Sequence, residues 1–536
     1  MDRILEQNDT LFKLFEYSAA RWHGRPMASY IDGTQAYTYC SFQEKVLKMS
    51  VLLARHHVYG GKVAILAENC PNWTVAFFAS AAMGRIAVPI LPASSQMEVS
   101  NILDHSESEA LFVSARQLRK VEEGLRKKMK LIVDIDTLDV ISTQNNGETE
   151  QNRKVAARNA APQPNDLAVI IYTSGTSGSP KGVMLSHGNL IHSILEAWHA
   201  QKAGYRDRWL SILPMAHAYE MALGMLYPLS VGAQVYYLKG MPVPSVLLEA
   251  MRQVRPTIIL TVPLIIEKVY KSVCRTVDAD RRLSLMRRRA PWLLDILLGA
   301  KLRKMTGGCL KFFGIGGAKL SPGVEAFLHR IHFPYAIGYG LTETAPLVCN
   351  ACMGRTRVGS IGIPAYGVEV RLDNVDPATG EGEIVARGRN VMLGYYKDPS
   401  RTAKAIRQDG WFHTGDLAAM DAKGRFYIRG RLNNVILGAT GENIYPEEIE
   451  FVINSYPGVG ESLVVERGRD LVGLVHMEEG AEHGSLADAA KSILEYVNKR
   501  VNKQSTLARI EMLTEPFKKT ATQKIRRFLY MTPSHA

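Results

Sequence analysis

Residues 167–182 read LAVIIYTSGTSGSPKG, an apolar run closing at Tyr172 and then Thr173, Ser174, Gly175, Thr176, Ser177, Gly178, Ser179, Pro180, Lys181 and Gly182. A short apolar run bounded by turn residues reads as a buried strand. In the loop behind it, glycines let the backbone approach a ligand closely, hydroxyls donate hydrogen bonds and Lys181 adds a point charge, a combination suited to phosphate. The pattern SHGNLIHSILEAWHA, from Ser186, predicts a helix after the loop, so the segment reads as strand, phosphate loop, helix. It is not a P-loop. That signature has four residues between its glycines and Ser or Thr after the lysine, whereas here two residues separate Gly175 from Gly178 and Gly182 follows Lys181. A plain Gly/Ser linker shares the composition but has no reason to join a buried strand to a helix.

The same strand type recurs on either side. KVAILAE, ALFVSA, LIVDI, QVYYL and TIILTV alternate with helix-like segments between residues 60 and 265, the pattern of repeated strand and helix units around largely parallel, buried sheets. The polar stretch between Val140 and Asp166 reads as an exposed connector. Residues 367–430 change character, with GVEVRLDN, GEIVARG and GRFYIRG separated by Gly and Asp turns, which predicts antiparallel strands. Beyond Arg431 the pattern becomes a small α/β unit, placing a domain boundary near residues 431–434.

At 536 residues the chain is longer than one hydrophobic core usually spans, so two or more domains are expected. With 46% apolar and 22% charged residues it is an ordinary globular composition and not a disordered one. The net charge of +13 favours anionic partners: nucleotides, phosphates, coenzymes or an acidic membrane surface. Six irregularly spaced cysteines and the lack of a leader-like N-terminus point to a reducing cytosol. The most apolar stretch, VAFFASAAMGRIAVPI, is interrupted by Arg85 and Pro89 and falls short of a membrane span. Cys349 and Cys352 form one C-x-x-C without a second pair, so both read as packing residues, not zinc ligands.

YTSGTSGSPKGVMLSHGN closely resembles the signature of the adenylate-forming superfamily: acyl-CoA synthetases, peptide-synthetase adenylation domains and luciferases. Further motifs follow in that family's order, covering the chain from about residue 10 to residue 530. The resemblance implies an α/β fold with a large N-terminal domain over residues 1–431, built of two αβ-layered subdomains and a β-barrel-like subdomain. It implies a small mobile α+β domain over 432–536. Gly316, Gly317 and Ala318 resemble the loop along the adenine. Gly338-Tyr339-Gly340-Leu341-Thr342-Glu343-Thr344 resembles the central nucleotide motif, in which Tyr339 stacks on adenine, Thr342 bonds the α-phosphate and Glu343 helps hold Mg²⁺. These residue types suit those roles, although GYGLTET alone reads more readily as a turn. Asp416 in WFHTGD resembles the ribose-binding aspartate and Arg431 its second ribose contact; without the family, TGD is a turn and Arg431 a solvated charge. PFKKTATQKIRR resembles the motif with the adenylation lysine, which the position before Ile-x-Arg assigns to Lys524 and not to Lys518 or Lys519. On composition alone that segment is a basic surface.

By the same resemblance a carboxylate attacks the α-phosphate of ATP, pyrophosphate leaves, and a thiol then displaces AMP, without a covalent acyl-enzyme. The residues 173–178 with Lys181 would clamp the leaving phosphates while Mg²⁺ and Lys524 stabilise charge at the α-phosphate. Rotation of the C-terminal domain between half-reactions would hinge at Asn433, where the family usually has Asp or Lys, and bring Gly441 beside the pantetheine of CoA. His217, in LPMAHAYE, would lie beside the substrate carboxylate or else be a core histidine. The absence there of an aspartate argues against amino-acid substrates. GRLNNVILGATGENIYPEEIE is most similar to bacterial long-chain acyl-CoA synthetases, which implies a medium-to-long-chain fatty acid as substrate, CoA or an acyl carrier protein as acceptor, and no nucleic-acid partner. A non-catalytic nucleotide-binding protein is the remote alternative; it would be expected to have lost Lys524 or Glu343, and both are present. Residues 281–304, RRLSLMRRRAPWLLDILLGAKLRK, combine basic and apolar residues. Peripheral contact with an anionic membrane, from the cytoplasmic face, is one reading. A core-packed helix with solvated arginines is the other, since Asp295 interrupts the apolar run.

Overall fold

The computed structural model describes residues 1–144, 161–174, 180–240, 242–352, 354–437, 443–468, 470–478, 480, 485–522 and 524–531. The chain clusters into two compact units, one of residues 1–173, 180–370 and 386–412, the other of 174–179, 371–385 and 413–536.

The first unit is built on two large sheets. In one, the strands lie in the order Gly394–Tyr395, Pro180–Ser186, Leu167–Ser174, Ile86–Ile90, Lys62–Leu66, Ala110–Val113, Leu131–Asp134, Val140–Thr143. The run from Ile86–Ile90 through Lys62–Leu66 and Ala110–Val113 to Leu131–Asp134 is parallel. Its apolar face gathers Leu66, Val88, Ile90, Leu111, Val113 and Ile170 into one core. In the second sheet Tyr335–Gly340, Phe312–Ile315, Ile258–Thr261, Arg208–Ser211, Gln234–Tyr237 and Pro26–Tyr30 are parallel neighbours, flanked by antiparallel Leu347–Ala351 and Tyr37–Thr38. Each apolar run read as a strand is one, and they are continuous rather than alternating because helices cover both faces of a parallel sheet.

One local reading changes. The stretch from Val140, expected as a connector, opens with a four-residue edge strand, Val140–Thr143, antiparallel to Leu131–Asp134 and exposed along its length. VAFFASAAMGRIAVPI divides into the end of the fully buried helix Pro71–Ser80 and the strand Ile86–Ile90. Arg85, 2% exposed, lies between them and donates to the carbonyls of Val58, Ala79 and Ser50 at 2.6, 3.2 and 3.1 Å. A buried guanidinium is tolerable when carbonyl acceptors replace its water. Among the described residues no helix is long and apolar enough to cross a membrane.

The second unit contains the hairpin Phe412–Met420 with Phe426–Arg431, antiparallel as its Gly and Asp turns predict. It also contains a three-stranded sheet in the order Val459–Arg467, Asp470–Met477, Arg509–Leu513. Helices Pro446–Asn454 and Leu486–Asn498 pack on that sheet through Ile449, Ile453, Ile493 and Val497 against Val464, Leu471 and Val475. The acidic start of PEEIEFVIN places Glu447 and Glu448 at the positive end of its helix.

Candidate functional site

The loop at 175–179, with the expected Gly175, Thr176, Ser177 and Gly178, lies outside the described residues; Thr173 and Lys181 stand on the strands that enter and leave it, and Ser174 ends the first. The element after the loop is a strand, Pro180–Ser186, and the helix begins only at His187. The reading of a helix directly after the loop is therefore corrected: the strand Pro180–Ser186 comes first and the helix follows it. Pairing explains it: Val183 and Met184 register with Tyr395 and Gly394, and Tyr396 N–H donates to the Gly182 carbonyl at 2.7 Å. The helix starts where Ser186 caps it, its hydroxyl accepting from Asn189 N–H at 3.1 Å. Gly182 has no room for a side chain, because a Cβ would lie 2.9 Å from Ile170, 3.2 Å from Tyr396 and 3.3 Å from the Tyr172 ring.

The same pairing assembles a cluster that the sequence did not disclose. Lys181 Nζ lies 5.6 Å from the centroid of the Tyr395 ring, and the Tyr395 hydroxyl donates to Glu343 Oε1 at 3.0 Å. Glu343 is fixed again through its carbonyl, which accepts from Met392 N–H at 2.9 Å. The loop lysine and the expected cation ligand thus meet on one tyrosine, which both orients a carboxylate and faces a cation with its ring. The Gly-Tyr-Tyr at 394–396 carried no recognisable signal, since its role depends on a contact spanning 52 residues. Among the described residues no three His, Cys, Asp or Glu side chains are gathered to hold a metal ion. One immobilised carboxylate suits Mg²⁺ all the same, as that ion commonly takes one or two protein oxygens and completes its shell with substrate phosphates and water. For the adenylation that the resemblance implies, Tyr395→Phe should lower carboxylate-dependent ATP/pyrophosphate exchange by about tenfold, the worth of a hydrogen bond to a charged group, and raise the Mg²⁺ concentration needed for half-maximal rate. An unchanged Mg²⁺ titration would remove Tyr395 from the site.

Glu343 follows the strand Tyr335–Gly340, in the short helical turn Thr342–Thr344. The Thr344 hydroxyl accepts from Leu341 N–H at 3.1 Å and so closes the turn that presents Thr342. Tyr339, half-buried, registers with Cys349 on the antiparallel strand. Cys349 is fully buried, and burial pushes its thiol well above the usual range, as a packing residue requires. Gly316 is the next contact: a Cβ there would sit 3.4 Å from both the Gly338 carbonyl and the Tyr219 ring. Gly316 N–H donates to the Thr261 carbonyl at 3.1 Å, and Gly317, at φ +83°, turns the chain so that it and Ala318 are exposed. The two nucleotide motifs are therefore neighbours.

His217 lies in the loop after the strand Arg208–Ser211. Its Nδ1 accepts from Tyr219 N–H at 3.2 Å, which puts the proton of a neutral ring on Nε2. Asn69 holds this loop, accepting from Met215 N–H at 2.9 Å and donating to the Leu213 carbonyl and the Ser211 hydroxyl at 2.6 and 3.0 Å. Glu220 begins a π-helical turn, Glu220–Leu226, and is buried with a hydrogen bond to Ser211. Burial pushes its carboxyl from 4.5 up to about 8. The folded chain then keeps a proton that the unfolded chain gives up above about pH 4.5, so this group erodes stability as pH rises towards 8, by up to about 1.4 kcal/mol per pH unit. Glu220→Gln should lose that slope, its thermal midpoint gaining on the native protein between pH 5 and pH 8. A constant difference across that range would show Glu220 already ionised in the fold.

In the second unit Asp416 and Arg431 are cross-strand partners in register, with Arg431 Nε 2.7 Å from Asp416 Oδ1. Asp416 is buried and Arg431 exposed. Thr414 and Gly415 set the aspartate: the Thr414 hydroxyl donates to the Ile384 carbonyl at 2.7 Å, Gly415 N–H donates to Glu383 at 2.9 Å, and Gly415 takes φ +70°. TGD is thus a kink within one strand. Lys524 is exposed on a narrow turn closed by the Lys519–Ile525 bridge and by Thr520 N–H donating to the Lys524 carbonyl at 2.8 Å. Ile525 packs with the core around Phe517, and Arg527 donates to Glu450 at 2.5 Å, which anchors the turn. Lys519 is ion-paired with Glu461. Asn433 is exposed in the short turn Leu432–Asn434, and Gly441 lies outside the described residues.

Comparison with known proteins gives the family. Residues 15–396 match the family model described as AMP-binding enzyme, and residues 433–531 match AMP-binding enzyme C-terminal domain. The chain belongs to the AMP-binding enzyme family. It is 30% identical over 477 residues to the peroxisomal long chain acyl-CoA synthetase 6 of Arabidopsis thaliana, covering 81% of this chain and 68% of that one. A chloroplastic long-chain-fatty-acid–[acyl-carrier-protein] ligase of the same plant, AEE15, is 27% identical over 87% of this chain and 77% of its own. In fold the chain is similar to the o-succinylbenzoate coenzyme A synthetase of Bacillus subtilis solved with ATP and magnesium ion, with a TM-score of 0.77 at 24% identity over 96% of this chain and 98% of that one.

Proposed function

We propose that the protein activates a medium-to-long-chain fatty acid by ATP-dependent adenylation and transfers the acyl group to the thiol of CoA, releasing AMP and pyrophosphate. The observation that carries the reading is the Lys181–Tyr395–Glu343 cluster beside the paired motifs at 316–318 and 338–344. It joins a phosphate-loop lysine to a fixed carboxylate, as transfer of a nucleotidyl group between anions requires. The fatty acid and CoA are supported by the names of relatives at about 30% identity. Mg²⁺, held with Glu343, would neutralise phosphate charge when bound.

In this reading Thr173, Ser174, the loop to Gly178 and Lys181 hold the β- and γ-phosphates. Gly316, Gly317, Ala318, Tyr339 and Gly340 bind the adenine, Thr342 the α-phosphate, and Asp416 with Arg431 the ribose. His217, with its proton on Nε2, donates towards the substrate carboxylate and orients it for in-line attack. Lys524 stabilises the charge that builds on the α-phosphate. The acyl-adenylate forms without a protein nucleophile. Residues 432–536 move as a domain about Asn433 between half-reactions, withdrawing Lys524 and presenting Gly441 to the pantetheine; the separate family match over 433–531 supports treating this segment as a unit.

An acyl carrier protein as acceptor is the second reading, favoured by the likeness to a carrier-protein ligase and by the net charge of +13, which would suit an acidic carrier. Fatty acids of graded length in the exchange assay, followed by thioester formation with CoA or with holo carrier protein, test both. Turnover with carrier protein and none with CoA would reject CoA as acceptor, and no exchange with any fatty acid would reject the activity.

A further inference from the structure

Away from this site the basic charge is concentrated in one segment. Residues 281–304 contain eight arginines and lysines against one aspartate, a net of +7 in a chain whose total is +13. They form the helix Arg281–Arg289, which has no buried residue, and the helix Pro291–Met305. The second helix is seated on one side through Leu294, Gly299 and Leu302, all buried. Gly299 allows a close approach, since a Cβ there would come 3.0 Å from the Ile331 carbonyl. Asp295 pairs with Arg330 at 3.3 Å, on the seated side, and so does not interrupt the other face.

At 100° per residue Trp292 falls at the edge of the opposite face, and Leu293, Ile296 and Leu297 fall on it. They are 66, 36, 56 and 46% exposed, and Leu285 on the preceding helix is 51% exposed. Single exposed apolar residues are common, but four within two turns, one a tryptophan, make a patch. A helix apolar on both sides normally has both sides covered; among the described residues this one is covered on one side. Arg288 and Arg289, four and three residues before Trp292, are exposed, as is Arg282 on the same preceding helix. Protein interfaces tend to exclude charge from their centre, whereas a tryptophan-bearing apolar strip bordered by arginines matches the layered chemistry of a bilayer surface, acyl chains beneath and phosphates above.

We propose that this helical pair lays the protein on membranes containing anionic lipid, with Trp292, Ile296 and Leu297 at the boundary of headgroups and acyl chains and the arginines on lipid phosphates. The surface is independent of the acyl-transfer reading, because vesicle binding is measured without turnover. In co-sedimentation, vesicles of phosphatidylcholine with phosphatidylglycerol should bind the native protein at least about tenfold more tightly than phosphatidylcholine alone, less so as salt rises. The variant Trp292→Ser/Ile296→Ser/Leu297→Ser and, separately, Arg288→Glu/Arg289→Glu should each weaken that binding by about tenfold or more while leaving the thermal midpoint in place. Two results would overturn the proposal: variants that bind vesicles like the native protein, or equal binding to neutral and anionic vesicles. A native protein that ignores vesicles and instead self-associates through this face, as an oligomer in sedimentation velocity that the apolar variant abolishes, would also overturn it and make a second copy the occupant.

Discussion

Lys524→Ala is expected to reduce ATP/pyrophosphate exchange by about two to three orders of magnitude, the usual cost of removing one preorganised charge from a developing anion, while thioester synthesis from supplied acyl-adenylate and CoA continues. The loss should be one of activity and not of fold. Lys524 is exposed, so its truncation leaves no cavity, and its turn is held by Ile525 in the core and by Arg527 on Glu450 rather than by the lysine itself. The thermal midpoint should therefore change little, as for surface substitutions generally. Lys519→Ala supplies the contrast: it breaks an ion pair with Glu461 and should affect both half-reactions alike and mildly. Equal loss of both half-reactions in Lys524→Ala would contradict its assignment to adenylation.

Gly340→Ala should be more damaging to the fold than any other single methyl group in the nucleotide motifs. A Cβ at this position would overlap the carbonyl of Pro346, a backbone atom that cannot rotate away. The strand Tyr335–Gly340 would have to part from Leu347–Ala351, with which it registers through Gly338, Tyr339 and Gly340. Such overpacking costs about 1–3 kcal/mol, and a displacement of about 1 Å in positioning residues can cost a hundredfold in rate. Tyr339 directly precedes Gly340, and Thr342 and Glu343 closely follow it. We expect a lowered thermal midpoint together with a loss of about a hundredfold or more in exchange. Gly24→Ala is the control, because a Cβ there meets nothing within 4 Å. Near-native exchange in Gly340→Ala would mean that the hairpin does not fix the nucleotide motif.

Much of this architecture was legible because its signals are local. A buried parallel strand is a continuous apolar run, a helix start is a capping residue before a periodic segment, and the hairpin at 412–431 is marked by its turn. What escaped depends on partners distant in the chain. Pro180–Ser186 becomes a strand because Gly394 and Tyr395 pair with it, and nothing within PKGVMLS marks that pairing. Tyr395 and Asn69 carry no motif, and their roles arise from contacts with Glu343 and with the loop at 213–215. In the segment 281–304 composition alone balanced a buried helix against a surface one. Which side of the second helix is buried depends on its rotation, which Gly299 and the Asp295–Arg330 pair set from a neighbouring element.

The missing side chain at Gly182 has a consequence for how a metal can be recruited. In a P-loop the residue after the lysine supplies a hydroxyl to the magnesium ion, so one loop holds both phosphate and cation. Here that position is wedged between the side chains of Ile170, Tyr172 and Tyr396, and even a serine would fit only if those side chains shifted. On the proposed reading, a divalent ion arriving with ATP would take its protein oxygen from Glu343, in the helical turn Thr342–Thr344 and not from the loop that carries the lysine. On that reading the cation would report whether two sheets are correctly assembled, and metal affinity, read by titration, would gauge tertiary order around Tyr395.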